Sequence, residues 1–95
     1  MNFSEALEHI KQGKKLTRTA WHGFGVFVYF VAGSQFEVNR APLNTIFEDG
    51  TKITYRSHLD WHDPEGNCGV WTPNANDLLA EDWEIATWKR HDTKK

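Results

Sequence analysis

Gly25-Val26-Phe27-Val28-Tyr29-Phe30-Val31-Ala32 decides the fold. Every residue from Val26 to Val31 is β-branched or aromatic, and such side chains pack well on a pleated surface. The run is apolar on both faces. A strand of that kind lies centrally beneath a helix and another layer, or turns one face to another subunit.

Upstream, His22-Gly23-Phe24-Gly25 reads as a turn, with glycines free to take positive φ. Before it, Leu16, Arg18 and Ala20 alternate with Thr17 and Thr19, a short strand that delivers Trp21. Earlier still the period is helical. Phe3, Ala6, Leu7 and Ile10 fall on one helical face. Asn2 and Glu5 are spaced as a capping box, and Gly13 is the stop. A helix of about three turns is unstable alone, so this stripe must dock on the sheet.

Downstream, residues 33–44 read as a long loop. Asp49-Gly50 is a hairpin signal, which predicts that Thr45-Ile46-Phe47 pairs with Lys52-Ile53-Thr54-Tyr55-Arg56. Residues 59–67 are polar and turn-rich. Cys68-Gly69-Val70-Trp71 is a short strand, stopped by Thr72-Pro73. Asn74 or Asn76 caps a helical turn through Leu79, and Trp83 to Trp88 alternates as a final strand. The expected fold is α+β: an N-terminal helix packed on a mostly antiparallel sheet of about five or six short strands, with a short helical turn before the last strand. Residues 1–88 form one domain, and residues 89–95 a basic, frayed tail.

With 95 residues the core is marginal, and oligomerisation is a common remedy. Five Trp and six Phe are a large apolar payload beside a mean hydropathy of −0.65, a contrast that suits aromatic interfaces or pockets. A net charge of −2 argues against a nucleic-acid polymer as partner, which calls for a basic surface. One cysteine excludes an intrachain disulfide framework and fits a reducing compartment. No apolar run reaches the ~20 residues that span a bilayer, and the start lacks a signal-peptide pattern, so no membrane partner is expected.

The chemistry-bearing residues gather between Trp71 and Trp83, where indoles, amides and carboxylates alternate: Trp71-Thr72-Pro73-Asn74-Ala75-Asn76-Asp77-Leu78-Leu79-Ala80-Glu81-Asp82-Trp83. A flat apolar face with directional polar groups beside it suits a nucleotide-like ligand. Trp21, next to Gly23 and Gly25, has an open face for stacking; as alternatives, Trp21 and Trp71 are core residues. Trp83 and Trp88 read as packing. Glu81 and Asp82 point to opposite sides, so they form no acid/base pair. Cys68 reads as a small buried strand residue without an activating base. His58, Asp60 and His62 are candidate metal ligands only if their segment is helical, which Asp63-Pro64 opposes.

Three parts together carry a family resemblance. Asn2-Phe3, Ala6-Leu7, Gly13-Lys14 and Arg18 lead to Trp21-His22-Gly23-Phe24-Gly25, and the chain closes on Trp71-Thr72-Pro73-Asn74-Ala75-Asn76-Asp77-Leu78-Leu79-Ala80-Glu81-Asp82-Trp83-Glu84-Ile85, of which Asp77 to Trp83 is the specific part. Over roughly residues 1 to 87 this resembles the small phage proteins that act as anti-Thoeris sponges. The resemblance implies a non-enzymatic homotetramer, working in the host cell cytoplasm without a cofactor, with ligand pockets at subunit contacts. It implies sequestration of glycocyclic ADP-ribose, the cyclic ADP-ribose signal of Thoeris immunity, and in some relatives of cyclic dinucleotides in a second pocket. Carried onto this chain, adenine stacks between Trp21 of one subunit and Trp71 of another. Asn74 and Asp77 read ribose hydroxyls or a base edge, Thr72 donates to phosphate, and Arg18 and Arg56 are candidate phosphate cations. Relatives often carry Asn and then a basic residue after the first Trp, where this chain has His22 and Phe24. Phe24 enlarges the apolar wall beside Gly23. A metal-assisted nucleotide hydrolase using His58, His62 and Asp60 is the alternative from another class, and a protein-binding module with exposed aromatics is the third.

Overall fold

The computed structural model describes residues 1–21 and 23–87. In chain order these form α1 (Phe3–Lys11), β1 (Leu16–Arg18), a 3-10 turn (Thr19–Trp21), β2 (Phe27–Val31), β3 (Ser34–Glu37), a second 3-10 turn (Leu43–Thr45), β4 (Lys52–Tyr55), β5 (His58–His62), β6 (Cys68–Val70), α2 (Ala75–Leu79) and β7 (Trp83–Ile85). The architecture is α+β, with the short helix before the last strand, as the sequence pattern predicts.

β2 is the centre of an antiparallel five-stranded sheet ordered β6-β5-β2-β1-β7. Its two apolar faces have different neighbours. Val28 points to α1 and joins Ala6, Ile10, Leu16 and Trp83 in the buried core. Phe27 and Tyr29 stand on the opposite face. Docking stabilises the short helix, because each buried aliphatic side chain contributes about 1.5–3 kcal/mol. The capping box holds its start: Glu5 N donates to Asn2 Oδ1 at 2.9 Å, and Asn2 N to Glu5 Oε1 at 3.0 Å. Gly13, at φ 93°, turns the chain out of α1 as expected.

Three segments differ from expectation. The first strand ends at Arg18 rather than running on to Trp21, because Asp82 gathers the next backbone groups. Thr19 N donates to Asp82 O at 3.1 Å and Ala20 N to Asp82 Oδ2 at 3.0 Å, closing a 3-10 turn.

Next, Ser34–Glu37 is a strand and not loop, and it is the partner of Lys52–Tyr55 in a two-stranded second sheet. Gly50 does form the Asp49-Gly50 turn, at φ 87°. Thr45-Ile46-Phe47 is not the other arm, since Leu43–Thr45 coils into a 3-10 turn. Phe36 opposite Ile53, with its ring 5.4 Å from Tyr55, fixes the observed register.

Finally, His58–His62 is a strand along the whole length of β2. Its polar residues alternate with Leu59 and Trp61, which pack on the core, so a period of two lies inside the polar composition. The turn shrinks to residues 63–67, where Glu65 N and Asn67 N donate to Asp63 Oδ1. Those bonds, that of Asn67 first, hold the Asp63 carboxyl below its ordinary range.

Asn74 rather than Asn76 caps α2, with Asp77 N donating to its Oδ1 at 2.8 Å. Trp88 and the tail at residues 89–95 lie outside the described residues.

Candidate functional site

The face of the sheet beside α1 ends in an aromatic cluster. Trp21 closes the 3-10 turn after β1, and Trp71 follows β6 directly. Both are half-buried, and both lean on Trp83, which is 2% exposed. Trp21 meets the Trp83 ring at 5.2 Å and 80°, and Trp71 meets it at 5.9 Å and 79°. Trp21 and Trp71 are 6.4 Å apart at 81°. These are edge-to-face contacts, the arrangement that opposes the positive edge of one ring to the negative face of the next. Phe3 of α1 closes the group, 5.4 Å from Trp83 and 6.1 Å from Trp71.

Behind the indoles lies an ion-pair network. Arg18 Nη1 donates to Asp77 Oδ1 at 3.0 Å and Arg18 Nε to Asp82 Oδ1 at 2.8 Å. The guanidinium also sits 5.9 Å from the Trp21 ring centroid, within cation–π range. Bonding to Asp82, reinforced by Asp77 and opposed by burial, raises the Arg18 pKa. The same bond, reinforced by the Ala20 N–H, lowers that of Asp82. Asp77 is buried; its second oxygen accepts from Asn74 N at 3.1 Å, and its carbonyl accepts from Trp83 Nε1 at 2.9 Å. β1, α2 and β7 are thereby tied at one point beneath Trp21.

The expected site residues fall into two groups. Arg18, Trp21, Trp71, Thr72, Asn74 and Asp77 come together. Within that group Arg18 and Asp77 bond to each other, and Asn74 uses its carbonyl as a helix cap. Thr72 is exposed between Trp71 and α2.

Gly23 and Phe24 follow Trp21, and Phe24 N donates to Trp21 O at 3.0 Å, yet they also form part of a second surface. With Gly25, Pro64, Thr17 and Glu84 they line an open depression of about 660 Å³ that includes no indole among the described residues. Gly23 has φ 92°, and Phe24 is 66% exposed. Arg56 is also apart, exposed between β4 and β5 in a different depression, beside Gly33 and Ser57. Asp82, Trp83 and Phe3 are organising residues that composition did not single out for the site. The alternation of residues 83–88 and the helical stripe gave Trp83 and Phe3 as packing, while nothing local marks Asp82 as the partner of Arg18.

The metal-ligand candidates stand on the other face of the sheet. His58 Nε2 is 3.2 Å from Asp60 Oδ1. Among the described residues, no three His, Cys, Asp or Glu side chains converge as a metal ion requires. Cys68, expected to be buried, is exposed, because β6 is an edge strand. Chemically the aromatic cluster offers two half-buried indoles above a charge-paired base, with no activated nucleophile among the residues that form it.

The model of the Thoeris anti-defense 2-like domain matches residues 1–86. The chain is also similar to Thoeris anti-defense 2 of Bacillus phage SP01, at 28% identity over 90 residues, which cover 92% of this chain and 96% of the relative.

Proposed function

We propose a function from this premise: the chain belongs to the Thoeris anti-defense 2-like family. It is an anti-Thoeris sponge that binds glycocyclic ADP-ribose without turning it over, in the cytoplasm of the infected cell. The observation that carries this reading is the pairing of half-buried Trp21 and Trp71 around Trp83. Within one chain the two rings are nearly perpendicular, so a base cannot lie flat on both. A two-sided stack therefore takes Trp21 from one copy and Trp71 from another, which supports self-association with shared pockets, as in the homotetramer that the family resemblance implies. Exposed apolar side chains, among them Ile46 at 69% and Val70 at 68%, support self-association as well. Thr72, next to Trp71 in sequence, and Asn74, the cap of α2, are the polar groups this reading assigns to the ligand. With Arg18 neutralised by two carboxylates and Arg56 of the same chain apart from the indoles, the ligand's phosphates draw on a cation of another copy.

Isothermal calorimetry with glycocyclic ADP-ribose tests the reading, with a cyclic dinucleotide as second titrant. Binding at micromolar protein is expected, with intact ligand recovered by mass spectrometry after heating. Trp71→Ala should weaken binding by about 1–3 kcal/mol, the worth of one base–aromatic stack. Absence of binding, or recovery of a cleaved ligand, would overturn the proposal, and sedimentation velocity checks the tetramer.

A further inference from the structure

The sheet face turned away from α1 carries a cluster that the proposed ligand site does not use. Register sets Cys68 opposite His62, Phe27 opposite the same His62, and Tyr29 opposite Asp60, so all of these side chains share that face. Cys68 Sγ lies 3.0 Å from His62 Nδ1. The Tyr29 hydroxyl donates to the same sulfur at 3.3 Å. Phe27 flanks the imidazole, with ring centroids 5.2 Å apart. Cys68 is an exposed residue on β6, an edge strand of the sheet among the described residues.

A nucleophilic thiol needs a base for its proton, a donor for the sulfur anion and access for its reactant. Three different strands supply these here: β5 the imidazole, β2 the phenol, and β6 an unpaired outer edge. We propose that Cys68 is a covalent modification site whose co-reactant is a low-molecular-weight disulfide. The thiol proton passes to His62 Nδ1. The sulfur then attacks one sulfur of the disulfide, a new S–S bond forms, and the original one breaks. The departing thiolate takes the proton back from the His62 imidazolium. The products are a mixed disulfide on Cys68 and one free small thiol; the disulfide itself is the oxidant, and no other is required. Tyr29 donates throughout, since burial and then Cys68 push its pKa up to about 12. The other charged groups toward this face include Asp60 and His58, 3.2 Å apart, Lys15, whose Nζ lies 5.0 Å from the Phe27 ring centroid, and Glu84, opposite Thr17 in the register of β1 and β7.

The chain has one cysteine, so the readout is unambiguous. The probe is dithiobis(nitrobenzoate), followed by release of coloured thionitrobenzoate and by intact mass. At pH 7 the native chain should react about tenfold faster than the same chain unfolded in urea. His62→Gln, with unchanged circular dichroism, should bring the native rate down to the unfolded one. Tyr29→Phe should lower it part of the way. A native rate no higher than the unfolded rate overturns the proposal, as does a folded His62→Gln variant that reacts as fast as the wild type. Should His62→Gln fail to fold, the native-to-unfolded comparison and Tyr29→Phe decide, and an unchanged rate in Tyr29→Phe counts against it.

Discussion

Asp82 does more structural work than its neighbours in sequence suggest. Its carboxylate takes Arg18 with one oxygen and the Ala20 N–H with the other, while its carbonyl takes the Thr19 N–H. Hydrogen bonds to charged groups are worth about 1.5–3 kcal/mol each, and partial exposure of Asp82 discounts that figure. Asp82→Asn keeps the shape and removes the charge, so urea denaturation should show a loss of about 1–2 kcal/mol. The acid response follows from sign. Arg18 depresses the folded pKa of Asp82, so its stabilisation is full above the unfolded carboxylate value and is lost as pH falls through the lower, folded one. Wild-type stability should therefore decline below about pH 4, and Asp82→Asn should decline less steeply over the same range. Equal slopes in the two proteins would mean that Asp82 is not linked to folding.

At the scale of elements, the root of the second sheet is set by a close approach. A Cβ on Gly33 would stand 2.4 Å from Tyr55 O and 3.0 Å from Ser57 N, both backbone atoms that cannot swing aside. Gly33→Ala should therefore lower the melting temperature, and amide exchange should localise the damage to β3 and β4 while β2 and β5 stay protected. Uniform loss of protection would contradict this. The same elements mark what could be read from sequence. The helix, with its cap and stop, and the central strand were legible because their signals are local: a 3.6 period, an Asn2–Glu5 pair and a β-branched run. β3 was not, since Ser-Gln-Phe-Glu offers a single apolar residue and its partner is remote. β5 was hidden because polar outward residues dominate its composition, although Leu59 and Trp61 keep the alternation. In the site, Trp21 and Trp71 stood out as indoles at segment ends. Arg18 bonds to a residue 64 positions away, a distance that no local pattern encodes.

For the whole molecule, the two sheets are unequally anchored. The extents are 46 × 33 × 22 Å and the radius of gyration is 16.2 Å, against about 12 Å for a compact chain of this length. The buried cluster of Ala6, Ile10, Leu16, Val28 and Trp83 serves the five-stranded sheet. β3 and β4 have Val38 as their nearest fully buried neighbour and leave Tyr55 half exposed. Two-stranded sheets are marginal without further packing. Native-state hydrogen exchange at low protein concentration should thus show β3 and β4 opening well before β2, and raising the concentration should slow that opening if self-association covers them. Simultaneous opening of both sheets would argue for a single cooperative unit. The three indoles that meet edge to face have a consequence of a different kind. Chromophores this close share their excited states, so the near-ultraviolet dichroism of the folded chain should carry a signature of the cluster that isolated tryptophans lack. Under the proposed function, a base stacked on Trp21 or Trp71 would couple its own transition to that set, so the same signal would report occupancy without a label.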